Sequence, residues 1–331
     1  MLSGFYKKQI AEGKGFLVFA IIIAILIRSI HFFKFEGQTL QIEGGGPLWL
    51  PLASFFQNPL YSLICSTVFT MIIAFLINLI NTQYALIRMK TLLPMGIVII
   101  FFSFLPNHLI MSPAYIGTVA LLISLNALFS AHGEEYNQTI VFKATSYLAL
   151  GALFAPLLLL YLPVLWICFI RIRSFGFKAF LASLLSIIIL YVPVFSYFLF
   201  IEKSMDVLNA PLSYFSSIDW SQMPVLSYGL LGYITLGVVV ILITSILLNN
   251  SVNGFKDKIK IRVFLAVLSI LCIFSVLCTL LLNTYSFLPL YLALATGSLL
   301  VSHLFALTSS KLTPYTFYFL LIFICVISFS H

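Results

Sequence analysis

The residues best placed to do chemistry gather just after the first apolar run: two glutamates, Glu36 and Glu43, and three cations, Arg28, His31 and Lys34. A carboxylate in a partly desolvated loop holds its proton more readily and can act as a general base. A fully solvated loop glutamate has no such role, and both alternatives stand for each residue. Arg28, His31 and Lys34 follow one another at i, i+3 and i+6, which broadly aligns them on one helical face. Cations clustered at a membrane surface suit a lipid phosphate or pyrophosphate. Alternatively they snorkel to the headgroups and anchor the helix.

The same loop, about 34–58, continues through Gly44-Gly45-Gly46 into Pro47-Leu48-Trp49-Leu50-Pro51. Trp49 to Phe56 reads as a short amphipathic helix lying along the interface, with Trp49 at headgroup level. His108 beside Asn107 is a further substrate-side candidate, or an ordinary turn histidine. Asp219-Trp220 pairs an anionic head with an aromatic platform that suits a sugar, or is simply an interfacial tryptophan. His303 lies within an apolar run and has no acidic partner on its own helix, so a packing histidine is the plainer expectation than a proton relay. Glu134-Glu135 reads as a solvated loop.

Several chemistries are absent from the sequence. There is no GxxxxGK[ST] phosphate loop, no HExxH and no GxSxG. A metal site would need more convergent carboxylates than these loops supply, so no metal and no cofactor are expected. The five cysteines, Cys65, Cys168, Cys272, Cys278 and Cys325, sit singly inside apolar runs and read as small hydrophobes. The net charge of +8 forms no stripe or tail, which excludes a nucleic-acid partner.

What must position these residues follows from composition. The chain of 331 residues is 62% hydrophobic and only 8% charged, against roughly a quarter charged in soluble domains. Its outer solvent is therefore lipid. The fold expected is all-α: a polytopic transmembrane helical bundle of about eleven spans, each needing about 20 apolar residues. They fall near 16–33, 59–80, 93–106, 113–130, 144–156, 157–170, 179–200, 225–249, 263–281, 287–308 and 313–330. The stretch 144–170 could be one kinked span or two short ones. Taken as two, with the N-terminus in the cytoplasm, fourteen Lys and Arg fall inside and three outside. Taken as one, the split becomes seven and ten, so the positive-inside rule selects two. Spans as short as 93–106, 144–156 and 157–170 suggest helices that stop part-way, with Pro106, Pro113, Pro156 and Pro163 at the interruptions. The alternative is that these prolines kink ordinary spans. The whole of 1–331 reads as a single integral membrane domain, with 1–178 the polar-punctuated half and 179–331 a packing half. The location expected is a bacterial inner (cytoplasmic) membrane, crossed several times.

Two stretches carry a resemblance. The run Asn81-Thr82-Gln83-Tyr84-Ala85-Leu86-Ile87-Arg88-Met89-Lys90-Thr91-Leu92-Leu93-Pro94 is one. The other is Phe154-Ala155-Pro156 through Tyr161-Leu162-Pro163 to Trp166, followed by Ile170-Arg171-Ile172-Arg173-Ser174. Both resemble an uncharacterised Bacteroidota polytopic inner-membrane family, a domain of unknown function, over most of 1–200. That family lends no activity. In layout the chain is also distantly similar to the GT-C class of glycosyltransferases, with a first span, an external loop bearing an acid and an interfacial helix. This likeness implies a transferase acting on a polyprenyl-phosphate-linked sugar at the external face, with Glu36 or Glu43 as the acid. Arg28, His31, Lys34, Trp49, His108 and Asp219 would then serve the substrate. Two other functions remain open: a non-enzymatic subunit of an envelope assembly complex with protein partners, and a transporter or flippase for a lipid precursor. The partner common to all three is membrane lipid.

Overall fold

A computed structural model describes Ile10, Gly13 and residues 15–35, 44–104, 109–133, 137–200, 237–247, 257–282, 287–307 and 313–330. Every regular element among them is helical: α1 (Gly15–Phe35), α2 (Leu50–Ala53), α3 (Pro59–Tyr84), α4 (Leu93–Phe104), α5 (Pro113–Ser130), α6 (Gln138–Ala152), α7 (Leu162–Ile172), α8 (Phe177–Phe200), α9 (Gly237–Leu247), α10 (Ile259–Leu281), α11 (Leu288–Leu307) and α12 (Thr313–Ser330). Single 3₁₀ stretches span Ser54–Gln57 and Pro156–Tyr161. Five helices among the described residues are long and apolar enough to cross a membrane: α3, α5, α8 (over Phe177–Phe198), α10 and α11.

Burial divides the outer helices into an exposed apolar face and an inner face. On α1, Val18, Phe19, Ile22, Ile25 and Leu26 are exposed, while Phe16, Ala20, Ala24, Ile27 and Arg28 are buried. The buried positions recur at helical spacing, so Arg28 belongs to the inward stripe. In the interior, α4 is short and almost wholly buried, packed against α1, α3 and α11. From the second half of the sequence, α11 runs through the bundle against α4, α5 and α10.

The chain reverses within 144–170. Thr145 accepts a hydrogen bond from Ser186 of α8 at 2.8 Å, and Trp166 donates to Ser183, one turn earlier on α8, at 3.1 Å. Were 145–166 one straight helix, those residues would stand about 30 Å apart. Instead α6 rises to Ala152, a 3₁₀ stretch carries the turn, and α7 returns. Proline starts these elements: Pro113 opens α5, Pro156 the 3₁₀ stretch, and Pro163 lies in the first turn of α7. A first turn needs no proline N–H, so the residue costs nothing there. Pro106 lies outside the described residues.

An interrupted helix exposes carbonyls that lipid cannot satisfy. Here a neighbouring loop satisfies them: Gly46 N–H donates to the Phe154 carbonyl at 2.7 Å and Leu48 N–H to Leu153 at 3.2 Å. The loop thereby turns Trp49 inward. Its indole is fully buried and stacks on Phe56, ring centroids 5.3 Å apart. This corrects the expectation of a headgroup-level tryptophan, because the glycine run lets the backbone enter a gap and draws the ring in after it. The helical stretch 50–57 does form, and Leu50, Leu52 and Phe55 are its exposed apolar surface.

Close packing of α5 on α6 depends on Gly151. A Cβ there would stand 2.3 Å from Ala120 Cβ and 2.8 Å from Leu158 Cδ2. Gly151→Ala is expected to destabilise the protein by about 2 kcal/mol through overpacking. Gly297→Ala on α11, whose nearest atom is Cys272 Sγ at 3.6 Å, should be neutral or slightly stabilising. Thermal unfolding of the two variants in detergent checks the contrast, and equal melting temperatures would refute it.

Candidate functional site

Two polar centres lie inside this apolar bundle, at opposite ends. The first is built on Arg28. Its Nε donates to Ser103 Oγ at 3.3 Å, its Nη1 to Ser66 at 3.2 Å and Thr67 at 2.8 Å. Its Nη2 donates to Thr70 at 2.8 Å and to the Phe102 carbonyl at 3.1 Å. A guanidinium has five N–H donors, and each finds an acceptor here. Arg28, Ser66, Thr70 and Ser103 are all buried.

The acceptors arise from local pattern. Ser62, Ser66 and Thr70 recur every fourth residue and fall on the buried face of α3. Ser66 also donates to the Leu109 carbonyl at 2.8 Å, and Ser62 accepts from Met111 N–H at 2.6 Å. The segment after α4 is thereby tied to α3. Every acceptor of Arg28 is neutral, and among the described residues no carboxylate faces it. In this arrangement Arg28 supplies field rather than a free fork for a phosphate. Below Thr67 a shallow groove of about 400 Å³ runs along α3, lined by Thr67, Val68, Met71, Ile72, Phe75 and Leu76. It is apolar except at the Thr67 hydroxyl that bonds Arg28.

The other sequence candidates are placed unevenly. His31 and Lys34 lie on α1, toward the end beyond Arg28, with side chains outside the described residues. Glu36, Glu43, His108 and Asp219 lie outside the described residues altogether, as do Glu134 and Glu135. Trp49 is in the bundle interior.

The second centre was not anticipated as a group. Arg88, from the turn between α3 and α4, meets Asp257, just before α10, with Nη2 2.5 Å and Nε 2.6 Å from Oδ1. His303 of α11 brings Nε2 to 3.7 Å from Asp257 Oδ2. The Asp257 and His303 side chains are each only 4% exposed, whereas Arg88 is 40% exposed. The turn that presents Arg88 is fixed by Asn81. Its carbonyl accepts from Leu86 N–H and its side chain from Ile87 N–H, while Ala85 adopts the left-handed conformation that ends α3. The run 81–94 quoted above is therefore the segment that delivers Arg88. The sequence signal for its partner was slight: Asp257 stands among Lys256, Lys258 and Lys260, where a loop acid reads as solvated.

Around this second centre lies an aromatic cluster. Phe129 stacks on Phe264 at 4.2 Å, Tyr84 and His132 meet Phe264 edge-on, and Lys260 lies over the Tyr84 and Phe264 rings. Among the described residues no group of three or more His, Cys, Asp or Glu side chains converges as a metal site would require. No protein-family model, no curated protein and no solved structure matches the chain.

Proposed function

We propose that this protein is a membrane-embedded transferase acting on a polyprenyl-phosphate-linked sugar at the external face of a bacterial inner membrane. In this proposal the chain crosses that membrane about eleven times with its N-terminus in the cytoplasm, in a GT-C-like arrangement, and the Arg28 end of the bundle faces outward. Glu36 or Glu43 is the base, and His31, Lys34, His108 and Asp219 serve the substrate from the same side.

The observation that carries the proposal is the buried Arg28 guanidinium, held entirely by neutral acceptors at the head of an apolar groove. A fixed cation in low dielectric attracts a phosphate without touching it. At a separation of about 8 Å and an effective dielectric of about 20, the attraction is roughly 2 kcal/mol. The groove suits a prenyl chain, whose head would then lie in the field of Arg28. Together these features favour a lipid bearing one anionic head and one long apolar tail.

Lipid mass spectrometry on the native purified protein tests this. The comparison includes a Glu36→Gln, Glu43→Gln double variant and Val68→Trp, which fills the groove from an exposed position. A polyprenyl phosphate or phospho-sugar should accompany the parent, accumulate unreacted with the neutralised glutamates, and be lost from Val68→Trp. If every sample carries only bulk phospholipid, the transferase assignment fails, and a non-enzymatic subunit of an envelope assembly complex takes its place.

A further inference from the structure

We propose that Arg88, Asp257 and His303 form a proton-binding site at the end of the bundle opposite Arg28, in which a proton on His303 Nε2 shares the Asp257 carboxylate with Arg88. The site is independent of the transferase assignment and uses none of its residues.

Geometry makes the case. His303 is buried, and its Nε2 has no hydrogen-bond partner among the described residues. A buried polar atom left unpaired is rare and costly, and calls for a physical account. The atom points at Asp257 Oδ2 from 3.7 Å, about one ångström beyond a charge-assisted hydrogen bond. Arg88 occupies the other oxygen, Oδ1, so Oδ2 is the side left for the imidazole. Protonated, His303 Nε2–H would donate to Oδ2, and a side-chain shift of about an ångström would close the gap. Neutral with Nε2 unprotonated, the ring makes no bond to Oδ2. Arg88 at the mouth is part-exposed, while the two groups behind it are not.

Of the other titratable groups near the site, Lys90 is exposed on the turn that carries Arg88, and His132 meets Phe264 edge-on. The α4 wall, Leu93–Phe104, carries no titratable side chain, and α5 contributes only Tyr115, which lies toward its opposite end. On α3, Tyr84 donates its hydroxyl to the Asn126 carbonyl. On α10, Lys258, Lys260 and Arg262 are exposed, with Lys260 held over the Tyr84 and Phe264 rings. Asp257 is the one carboxylate among the described residues. Burial of the ring disfavours the imidazolium, the charge of Asp257 favours it, and that of Arg88 opposes it.

The site ties three distant segments together, namely the α3–α4 turn, the entry to α10, and α11. Proton uptake adds one positive charge and a bond from α11 to Asp257. It thereby loosens the hold of Arg88 and couples the exposed turn to a central helix.

The test is histidine nitrogen NMR on the full-length protein in lipid nanodiscs across pH, with His303→Gln identifying the His303 signals. Asp257→Asn and Arg88→Gln should move the pH at which His303 takes up its proton in opposite directions, since they remove opposite charges. Opposite shifts are the signature, since a histidine that merely packs would follow neither charge. Should Asp257→Asn fail to fold, Arg88→Gln decides alone, because its side chain is part-exposed on a turn. A His303 signal that does not titrate, or that is unmoved by Arg88→Gln, overturns the proposal.

Discussion

Replacing Arg28 by methionine should lower the unfolding free energy by about 3 kcal/mol, the largest loss expected from any polar side chain in the bundle. The estimate rests on the five hydrogen bonds that join α1 to α3 and α4, at about 0.6 kcal/mol for each interhelical bond in a membrane. Two corrections act in opposite directions. Removing a buried charge recovers part of its desolvation cost. Against that, methionine fills the volume of the stem but leaves the Phe102 carbonyl without its partner, at a cost of about 1–3 kcal/mol for an orphaned buried group. The hydroxyls suffer less, because Thr67 and Thr70 still donate to Leu63 and Ser66 carbonyls. Arg28→Lys keeps the charge but has three donors for five acceptors, and should lose roughly half as much stability. Single truncations such as Thr70→Val should cost about 0.6 kcal/mol apiece. Thermal unfolding in detergent or bicelles reads all of these. An Arg28→Met variant that melts with the parent would mean that these bonds do not hold α1 in place.

Much of this centre was legible in the sequence, though not as a centre. Arg28 was conspicuous as a cation at the end of an apolar run. Its inward direction was also written there, since Ala20 and Ala24 sit two turns and one turn before it as small residues on the same stripe. The acceptors Ser66 and Thr70 likewise continue, with Ser62, a repeat at helical spacing in an otherwise apolar helix. What spacing within one helix cannot give is convergence between helices. That Ser103 and the Phe102 carbonyl complete the set depends on where α4 ends against α3. For the same reason His303 read as solitary: its acid comes from a segment far away in sequence, and Asp257 was disguised by its lysine neighbours. The turn that delivers Arg88 was visible only as a familiar string of residues.

The tryptophan expectation failed for an instructive reason. Rules for interfacial aromatics assume that a loop stays at the surface. The loop 44–58 does not, because the break between α6 and the 3₁₀ stretch leaves two carbonyls that need donors. Gly46 and Leu48 supply them, and Trp49 follows the backbone inward. The interior of α11 was likewise hard to read from the sequence. Hydropathy made α11 look like a plain apolar helix, yet burial gives it Tyr291, Thr296, Ser298, Ser302 and His303 as interior residues.

Gly46→Ala should therefore be severe, and Gly44→Ala should not. A Cβ on Gly46 would stand 2.2 Å from the Leu153 carbonyl oxygen and 2.8 Å from its carbon. These are backbone atoms, so no rotamer change relieves the contact. The loop must withdraw, and the bonds from Gly46 to Phe154 and from Leu48 to Leu153 go with it. Two buried carbonyls left unpaired cost about 1–3 kcal/mol each, so a loss of about 3–5 kcal/mol is expected. Gly44 has nothing within 4 Å of its Cβ position, so its alanine variant serves as the control. Gly45 falls between them, since its Cβ would meet only the Trp49 side chain, at 2.4 Å. Tryptophan fluorescence separates loop withdrawal from general unfolding. In a background of Trp166→Phe and Trp220→Phe, Trp49 is the sole remaining indole, and Gly46→Ala should shift its emission to the red while helicity by circular dichroism is retained. Unchanged emission and melting in Gly46→Ala would show that the loop is not seated on the α6–α7 hairpin.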